Sequence, residues 1–409
     1  MKHKRLLESV LSLSILNGLN LLLPLITLPY TIRVVGLANY GAYSIVYTIL
    51  QYVLMISAYG FAYSATQQIA QYRDDLATVS KVFNATIAAR FALTIIPLVI
   101  LGIVSYFVYG REYLLMYLFG IGIVIGDNLN PVWLFQGMEK MRYMTIVNVV
   151  CKLAFTILIF ILVKNESDYI FLTLLNSFGF MIAGIISLII AKRAFKISFT
   201  IPSWNDIFFQ LKEGWYIFLS TVCMSVYRNS NVFILSFFVP EAAVGMYSGA
   251  EKMIKAAQSV ASPISNAFYP HFANVKQKDN PRSILPGIIK LSKVMSLFLC
   301  VISLMTFFGA DILNKWFLDP NVPETAFLIQ LMIPVIFFGS LNYILGIVGL
   351  MNMNMKKEFF KYVMVSGVIS IFFLLITVSY WGNISACLAM SLSELVLFGM
   401  CIYKLRLVK

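Results

Sequence analysis

The chain has 409 residues, of which 60% are hydrophobic and only 12% are charged, and its mean hydropathy is +0.84. A water-soluble fold of this length cannot cover so much apolar surface with so few charges. Repeated apolar runs of about 20 residues therefore predict transmembrane helices. The net charge of +13 does not indicate nucleic-acid binding, because the basic residues lie in short loops between apolar runs and form no contiguous basic face.

The apolar runs predict twelve transmembrane helices, and hence an all-α integral membrane protein. The first run follows Met1–Arg5 and continues to about Pro29, longer than the apolar region of a signal peptide, so we expect it to be an uncleaved helix. The predicted spans are 9–30, 41–63, 83–107, 113–137, 143–163, 169–191, 214–238, 245–270, 285–309, 324–350, 359–380 and 383–404.

The basic residues of the predicted loops fall unequally on the two sides of the membrane. Twenty lie on the side of the N-terminus and four lie on the other side, namely Arg33, Arg111, Lys164 and Lys315. Loops rich in Lys and Arg stay in the cytoplasm, and an even number of spans returns the chain to its starting side. Both termini are therefore predicted to be cytoplasmic.

The cysteines and histidines indicate neither a disulfide framework nor a metal site. The five cysteines all lie in predicted spans, far apart in sequence, and we interpret them as small buried apolar residues. The two histidines, His3 and His271, are isolated. No metal and no bound cofactor is expected.

A short motif recurs halfway along the chain. Gly41–Ser44 (GAYS) opens the second span, and Gly245–Ser248 (GMYS) opens the eighth, 204 residues later. Together with six spans in each half, this repeat predicts an N-terminal lobe at 1–200 and a C-terminal lobe at 201–409. Because six is even, both lobes insert in the same orientation, and transporters built from such parallel repeats place their site in a central cavity between the lobes.

Polar residues run along one face of the eighth span at helical spacing. Such a face avoids lipid and contacts either protein or a water-filled cavity. Glu251 and Lys255 are four residues apart, so they either neutralise each other or leave Lys255 for substrate. The stripe comprises Ser248, Glu251, Lys255, Gln258, Ser262 and Ser265, with Lys252, Ser259 and Asn266 beside them.

Other spans also carry polar residues, although a charge within the membrane costs about 3 kcal/mol unless it meets water or a partner. Asn17 and Asn20 lie on the first span. Arg90 of the third span and Asp127 of the fourth are at similar depths, and they are expected either to form a structural ion pair or to line the cavity. Glu394 of the twelfth span has no evident partner in the sequence; it is either a buried protonated acid or a proton-coupling group.

The predicted C-terminal half of the cavity is net positive. Arg228, Lys252 and Lys255 lie at comparable depths, and Glu251 is the acidic residue among them. In a low-dielectric surrounding, such a cavity attracts anions, particularly phosphates, which accept several charge-assisted hydrogen bonds. We therefore expect an anionic cargo.

The end of the fourth span resembles a known family. Asn130–Glu139 (NPVWLFQGME) is similar to the P-x-W-x-x-Q-G-x-E stretch of O-antigen type polysaccharide flippases in the MATE-like superfamily. Gly36–Gly41 and Glu241–Ser248 resemble that family's stretches after its first and seventh helices. The motif residues are Pro131, Trp133, Gln136, Gly137 and Glu139, together with Gly41, Gly245 and Tyr247.

The resemblance implies a bacterial inner-membrane protein that flips an undecaprenyl-pyrophosphate-linked oligosaccharide, an O-antigen or capsular repeat unit, to the periplasmic leaflet. It implies alternating access around a cavity lined by helices 1, 2, 7 and 8, with membrane lipids around it and no nucleic acid. A polysaccharide polymerase and a chain-length regulator are the implied partners, and a proton or sodium gradient the implied energy source. Many relatives carry an acid where this chain has Asn231, which argues against ion coupling at that position.

Two other functions remain as alternatives. A cation-coupled multidrug antiporter of the same fold would need a carboxylate in the first helix, where this chain has Asn17 and Asn20 instead. A membrane polysaccharide polymerase or glycosyltransferase needs a sizeable outer loop, whereas the longest outer segment is about 310–323, and no catalytic motif indicates an enzyme. Within the flippase hypothesis, a teichoic-acid or peptidoglycan precursor is the alternative cargo.

Overall fold

In the computed structural model the described residues form helices joined by turns and short irregular stretches, with no strand among them, so the predicted all-α membrane fold is confirmed. It describes the backbone of residues 2–259, 268, 272, 281–353 and 355–408, and the side chains of 23–215, 218–219, 222, 230–259, 268, 272, 283–353 and 355–407. The chain divides into two compact units, Met1–Val226 and Tyr227–Lys409. The lobes predicted at 1–200 and 201–409 stay a prediction.

The first unit is built from long helices joined by short turns. A single 3-10 turn, Glu166–Asp168, precedes its seventh helix. The helices are α1 (Lys2–Ala58), α2 (Phe61–Gln71), α3 (Leu76–Tyr109), α4 (Arg111–Asn128), α5 (Val132–Gly137), α6 (Met141–Leu162), α7 (Tyr169–Ala194) and most of α8 (Trp204–Leu235).

The first two predicted spans lie in one helix with a kink. The sequence predicts a loop at 31–40, but the helix is interrupted only at Gly36, whose φ of 81° and ψ of 162° are not helical. A Cβ on Gly36 would meet nothing within 4 Å, so the backbone conformation and not lack of space calls for glycine there. The kink at Gly36 therefore takes the place of the loop that the sequence predicts between the first two spans.

The second unit differs from the first in containing π-helical segments. Val335–Gly339 and Tyr343–Met351 are π-helical, so the predicted tenth span is not a regular α-helix. The helices after α8 are α9 (Glu241–Gln258), α10 (Leu285–Phe308), α11 (Ala310–Phe317), α12 (Glu324–Leu331), α13 (Ser340–Asn342), α14 (Lys356–Trp381) and α15 (Asn383–Val408).

Within the part of the chain that the structure describes, nine helical segments are long and apolar enough to cross a membrane. They contain ten of the twelve predicted spans, because Leu23–Gln71 holds parts of the first two. The seventh and eighth spans extend into residues whose side chains are not described. The chain is therefore a multi-pass membrane protein, and the number twelve stays a prediction.

Glycines bring α4 and α7 into close contact. A Cβ on Gly184 would lie 2.5 Å from the carbonyl oxygen of Gly126, and a Cβ on Gly126 would lie 2.5 Å from the backbone nitrogen of Met181. Nearby, the Ser177 hydroxyl donates to the carbonyl oxygen of Phe119. Small residues and interhelical hydrogen bonds are the usual means of helix association in membranes, where apolar side chains gain little by leaving lipid.

This contact predicts a stability effect for Gly126→Ala. The added methyl group meets backbone atoms, which cannot rotate away, and overpacking of this kind costs about 1–3 kcal/mol. We expect a lower thermal unfolding midpoint for the purified protein in detergent. Gly399→Ala in α15 is the control, because its Cβ would meet nothing within 4 Å. Equal midpoints for the two variants would contradict the predicted contact.

Candidate functional site

The ion pair predicted on the eighth span is formed in α9. Nζ of Lys255 lies 2.7 Å from Oε1 of Glu251, one helical turn away. The Glu251 side chain is only 11% exposed, whereas that of Lys255 is 40% exposed. Lys252, half-buried on the same helix, is a second cation next to this acid. The two side chains are therefore close enough to form an ion pair. The exposed Lys255 ammonium keeps further N–H groups that can donate to a ligand.

Asn231 and Tyr247 join three helices of the second unit. Nδ2 of Asn231 donates to the Tyr247 hydroxyl at 2.8 Å and lies 3.4 Å from the carbonyl oxygen of Ala386 on α15. The Tyr247 hydroxyl contacts the sulfur of Met390 at 3.8 Å. A carboxylate at position 231 could not donate to these two oxygen atoms, so asparagine suits a structural role at this position.

Glu394 has partners that the sequence does not reveal. Its Oε1 accepts from Nε2 of Gln258 at 3.2 Å, and its Oε2 accepts from Nδ2 of Asn342 at 2.8 Å. Gln258 is the last residue of α9, and Asn342 lies between the two π-helical segments. Gln258 and Asn342, from two segments distant in sequence, thus both donate to the carboxyl group of Glu394.

In the first unit, Arg90 is the centre of a polar cluster and is only 4% exposed. Its Nη2 contacts Oδ2 of Asp127 at 2.5 Å, its Nη1 donates to the Asp127 carbonyl oxygen at 2.8 Å, and its Nε donates to the Ser57 carbonyl oxygen at 3.3 Å. Its guanidinium carbon lies 5.3 Å from the centre of the Trp133 ring. Arg90 therefore connects α3 to the ends of α1 and α4 and to α5, as a structural ion pair would.

The motif at 131–139 forms a separate short helix. The sequence predicts a continuous span through Pro131, but α4 ends at Asn128 and α5 begins at Val132. Pro131 stands immediately before α5, where its missing N–H breaks no helical hydrogen bond. Asn130, in the break between the helices, accepts from the Ser187 hydroxyl at 3.1 Å.

The other motif residues pack α5 against α2. A Cβ on Gly137 would lie 2.6 Å from Cγ2 of Ile69, and Oε1 of Gln136 accepts from the Thr66 hydroxyl at 3.3 Å. Arg73, just after α2, donates from Nε to the Gly137 carbonyl oxygen at 3.0 Å, and its Nη1 lies 3.0 Å from Oε2 of Glu139. The motif accordingly has a structural explanation in the contact between two short helices.

A fourth ion pair connects the start of α8 to α3. Nζ of Lys81 lies 2.9 Å from Oδ1 of Asp206, and the Ser203 hydroxyl donates to the same carboxylate. The hydrogen bond from Lys81, followed by that from Ser203, holds the pKa of Asp206 below its ordinary value. This pair lies among the residues predicted to face the cytoplasm.

The two repeat motifs have similar local settings in their own units. Gly41 and Gly245 are both buried, and each motif tyrosine accepts a hydrogen bond from an asparagine amide. Nδ2 of Asn176 donates to the Tyr43 hydroxyl at 2.7 Å, as Asn231 does to Tyr247. The motif tyrosines therefore have a packing role in both units.

Several predicted site residues lie outside the described side chains. They are Arg228, Asn17 and Asn20, and from the stripe of the eighth span Ser262, Ser265 and Asn266. Their roles in a cavity stay predictions. Among the side chains that are described, no group of three or more His, Cys, Asp or Glu residues is arranged to hold a metal ion.

A family of proteins matches most of this chain. The family model described as "Polysaccharide biosynthesis protein" matches residues 6–276. The chain belongs to this family. A relative from Escherichia coli K12, named "Putative O-antigen transporter", is 30% identical over 390 residues, which cover 95% of this chain and 93% of the relative. A Shigella dysenteriae protein of the same name is 32% identical over 271 residues, 66% of this chain and 68% of its own length.

Solved structures show which fold this polysaccharide biosynthesis protein adopts. The lipid II flippase MurJ matches it with a TM-score of 0.74 at 14% identity, covering 96% of this chain and 87% of MurJ. An inward-facing multidrug resistance MATE family transporter of the MOP superfamily matches with a TM-score of 0.72 at 13% identity, covering 98% and 97% of the two chains. The predicted MATE-like fold is therefore confirmed.

Proposed function

We propose that this polysaccharide biosynthesis protein flips an undecaprenyl-pyrophosphate-linked oligosaccharide, an O-antigen or capsular repeat unit, across the bacterial inner membrane. The observation that carries the proposal is the 30% identity to the Escherichia coli O-antigen transporter along 95% of the chain. Transport proceeds by alternating access, with both termini in the cytoplasm, and requires no enzymatic step. The exported unit is then available to a polymerase and a chain-length regulator.

The chemistry of α9 supports an anionic cargo. Lys252 and Lys255 follow Glu251 one and four residues later, so this part of the helix carries an excess of positive charge. The Lys255 ammonium, exposed beside a partly buried carboxylate, can donate to pyrophosphate oxygens without breaking from Glu251. The uncharged lipid chain remains in the bilayer while the phosphates and sugars cross, so the cations are needed for the charged part alone.

The fold by itself does not distinguish this function from drug extrusion. The lipid flippase and the multidrug transporter match with TM-scores of 0.74 and 0.72, both below 15% identity. The matches at 30% and 32% identity are to proteins named as O-antigen transporters. The identity therefore favours a glycan cargo over a cationic drug.

Complementation tests the proposal. The gene is expressed in a strain that lacks its own O-antigen flippase and still makes the lipid-linked repeat unit of this protein's source. We expect restored surface glycan and loss of the lipid-linked unit that accumulates in the inner leaflet. Unchanged accumulation, with the protein present in the membrane, would contradict the proposed cargo. Resistance to cationic drugs, measured in the same cells, is expected to stay unchanged.

A further inference from the structure

The carboxyl group of Glu394 contacts two amide side chains, and an amide can hydrogen-bond to either the charged or the protonated form of a carboxyl group. Gln258 and Asn342 each present an amide nitrogen to a separate carboxyl oxygen, at 3.2 Å and 2.8 Å. A primary amide also carries an oxygen atom, and rotation by half a turn exchanges donor for acceptor. The site is therefore able to donate to a carboxylate and, after rotation of one amide, to accept from a carboxylic acid.

Asn342 keeps one orientation in both protonation states. This residue is only 4% exposed, and its Nδ2 donates both to Oε2 and to the backbone carbonyl oxygen of Glu394. Rotation of its amide would break both hydrogen bonds and turn Oδ1 toward that carbonyl oxygen, and two acceptors cannot bond each other. Gln258, whose Nε2 donates to the other carboxyl oxygen, is therefore the amide that rotates.

The backbone around Asn342 contains π-helical segments, a feature that is common at functional sites. Asn342 lies in the single turn of α13, with a π-helical segment before it and another after it. π-Helical turns are rare and are frequent at functional sites. The Ser340 hydroxyl donates to the Gln258 carbonyl oxygen at 3.2 Å, and a Cβ on Gly339 would lie 2.1 Å from Nε2 of Gln258 and 3.0 Å from Cδ of Glu394. Glycine at 339 therefore leaves room for the Gln258 amide and for the carboxyl group.

We propose that Glu394, between Gln258 and Asn342, is a reversible proton-binding site of the second unit. A proton from water forms an O–H bond with one carboxyl oxygen, and the negative charge disappears. The Gln258 amide turns, so that the new hydroxyl donates to its Oε1. Asn342 continues to donate to the other carboxyl oxygen. The reverse steps release the proton, and no other covalent bond forms or breaks.

The proton site has titratable residues on its own helix and on several of the elements packed against it. Gln258 and Glu394 are both half-buried. The Cys401 thiol, two helical turns further along α15, interacts electrostatically with Glu394. The titratable residues on the described elements that pack against α15 are Glu241, Tyr247, Glu251, Lys252 and Lys255 on α9, Glu324 on α12, Tyr343 on the second π-helical segment, and Lys356, Lys357, Glu358, Lys361, Tyr362 and Tyr380 on α14.

Proton binding at Glu394 gives the transporter a means of coupling to a proton gradient. This use of the site rests on the proposed transport function, whereas proton binding itself does not. Neutralising Glu394 reverses the hydrogen-bond direction at Gln258, the last residue of α9, whose carbonyl oxygen accepts from Ser340 between the two π-helical segments. Loading and release of a proton are thereby linked to the backbone of this part of the second unit.

Infrared difference spectroscopy on the purified protein tests the site without any cargo. Spectra of the whole chain in detergent are recorded at acidic and alkaline pH in sodium-free buffer. We expect a carbonyl band at the frequency of a carboxylic acid shielded from water, and we expect Glu394→Gln to lose it. Glu324→Gln is the matched control, because it removes an exposed carboxyl group from the same unit and should keep the band. A band of full size in Glu394→Gln would overturn the proposal.

Asn342→Ala provides a second test that leaves Glu394 in place. The substitution removes an N–H group that stabilises the charged carboxylate, so the midpoint of the band's pH titration should rise. A midpoint equal to that of the unsubstituted protein would overturn the arrangement. Sodium is the competing ligand, and it is added at constant pH. If the band disappears at millimolar sodium, Glu394 binds a metal cation and the proton-binding proposal is overturned. Failure of complementation with an intact band would instead reject the transport function alone.

Discussion

Arg90→Met is expected to remove most of the folded protein from the membrane. Arg90 is 4% exposed and contacts Asp127 and Ser57 on two other helices. Its removal leaves the carboxylate of Asp127, which is 33% exposed, without its cation, and leaves the carbonyl oxygens of Ser57 and Asp127 without their donor; each buried group left unsatisfied costs about 1–3 kcal/mol. Because native proteins are stable by only about 5–15 kcal/mol, we expect a much lower unfolding midpoint and little monodisperse protein in detergent. Size-exclusion chromatography of a fluorescent fusion measures both quantities.

Arg73→Met is the matched control for this experiment. Arg73 also pairs with an acid, Glu139, but both side chains are substantially exposed, and exposed pairs contribute little to stability. We expect Arg73→Met to accumulate almost normally. If Arg90→Met were equally stable and failed only in export, Arg90 would belong to the cargo path and not to the scaffold.

Lys255→Ala is expected to lower glycan export at least tenfold while leaving most of the folded protein in the membrane. Its side chain is 40% exposed, so its removal empties no packed core, but it takes away the donor that we assign to the pyrophosphate. Surface glycan in the complementation strain measures export, and immunoblotting of membranes measures the amount of protein. Lys293→Ala, an exposed lysine on α10, is the control and should export normally.

The double variant Glu251→Ala, Lys255→Ala separates the two roles of this pair. If Lys255 serves only to neutralise Glu251, removing both charges should restore export. If Lys255 binds the cargo, the double variant should remain as defective as Lys255→Ala. Restored export would therefore contradict the proposal that Lys255 donates to the pyrophosphate. It would not bear on the family to which the chain belongs.

Some of these contacts could be predicted because they depend on local spacing or depth. Glu251 and Lys255 are four residues apart, which places them side by side on any helix. Arg90 and Asp127 were paired from their similar depths in neighbouring spans, and the structure forms that contact. Apolar runs likewise predict the membrane-spanning helices, because lipid requires them to be helical and long.

Other features could not be predicted because they depend on distant residues or on small changes of the backbone. The partners of Glu394 lie 52 and 136 positions away, and no local pattern connects them. The π-helical segments at 335–351 have the same apolar composition as a regular helix. The break before α5 is signalled by Pro131, but proline is also tolerated within membrane helices, so its presence alone does not decide the matter.

Reconstitution tests the central claim most directly. The purified protein is placed in liposomes that contain an undecaprenyl-pyrophosphate-linked oligosaccharide, and a membrane-impermeant glycosidase reports how much oligosaccharide remains protected inside. We expect the protected fraction to disappear with the protein and to persist without it. An uncharged lipid-linked oligosaccharide with the same sugars should stay protected. Equal movement of both lipids, or of neither, would contradict a flippase that recognises the pyrophosphate.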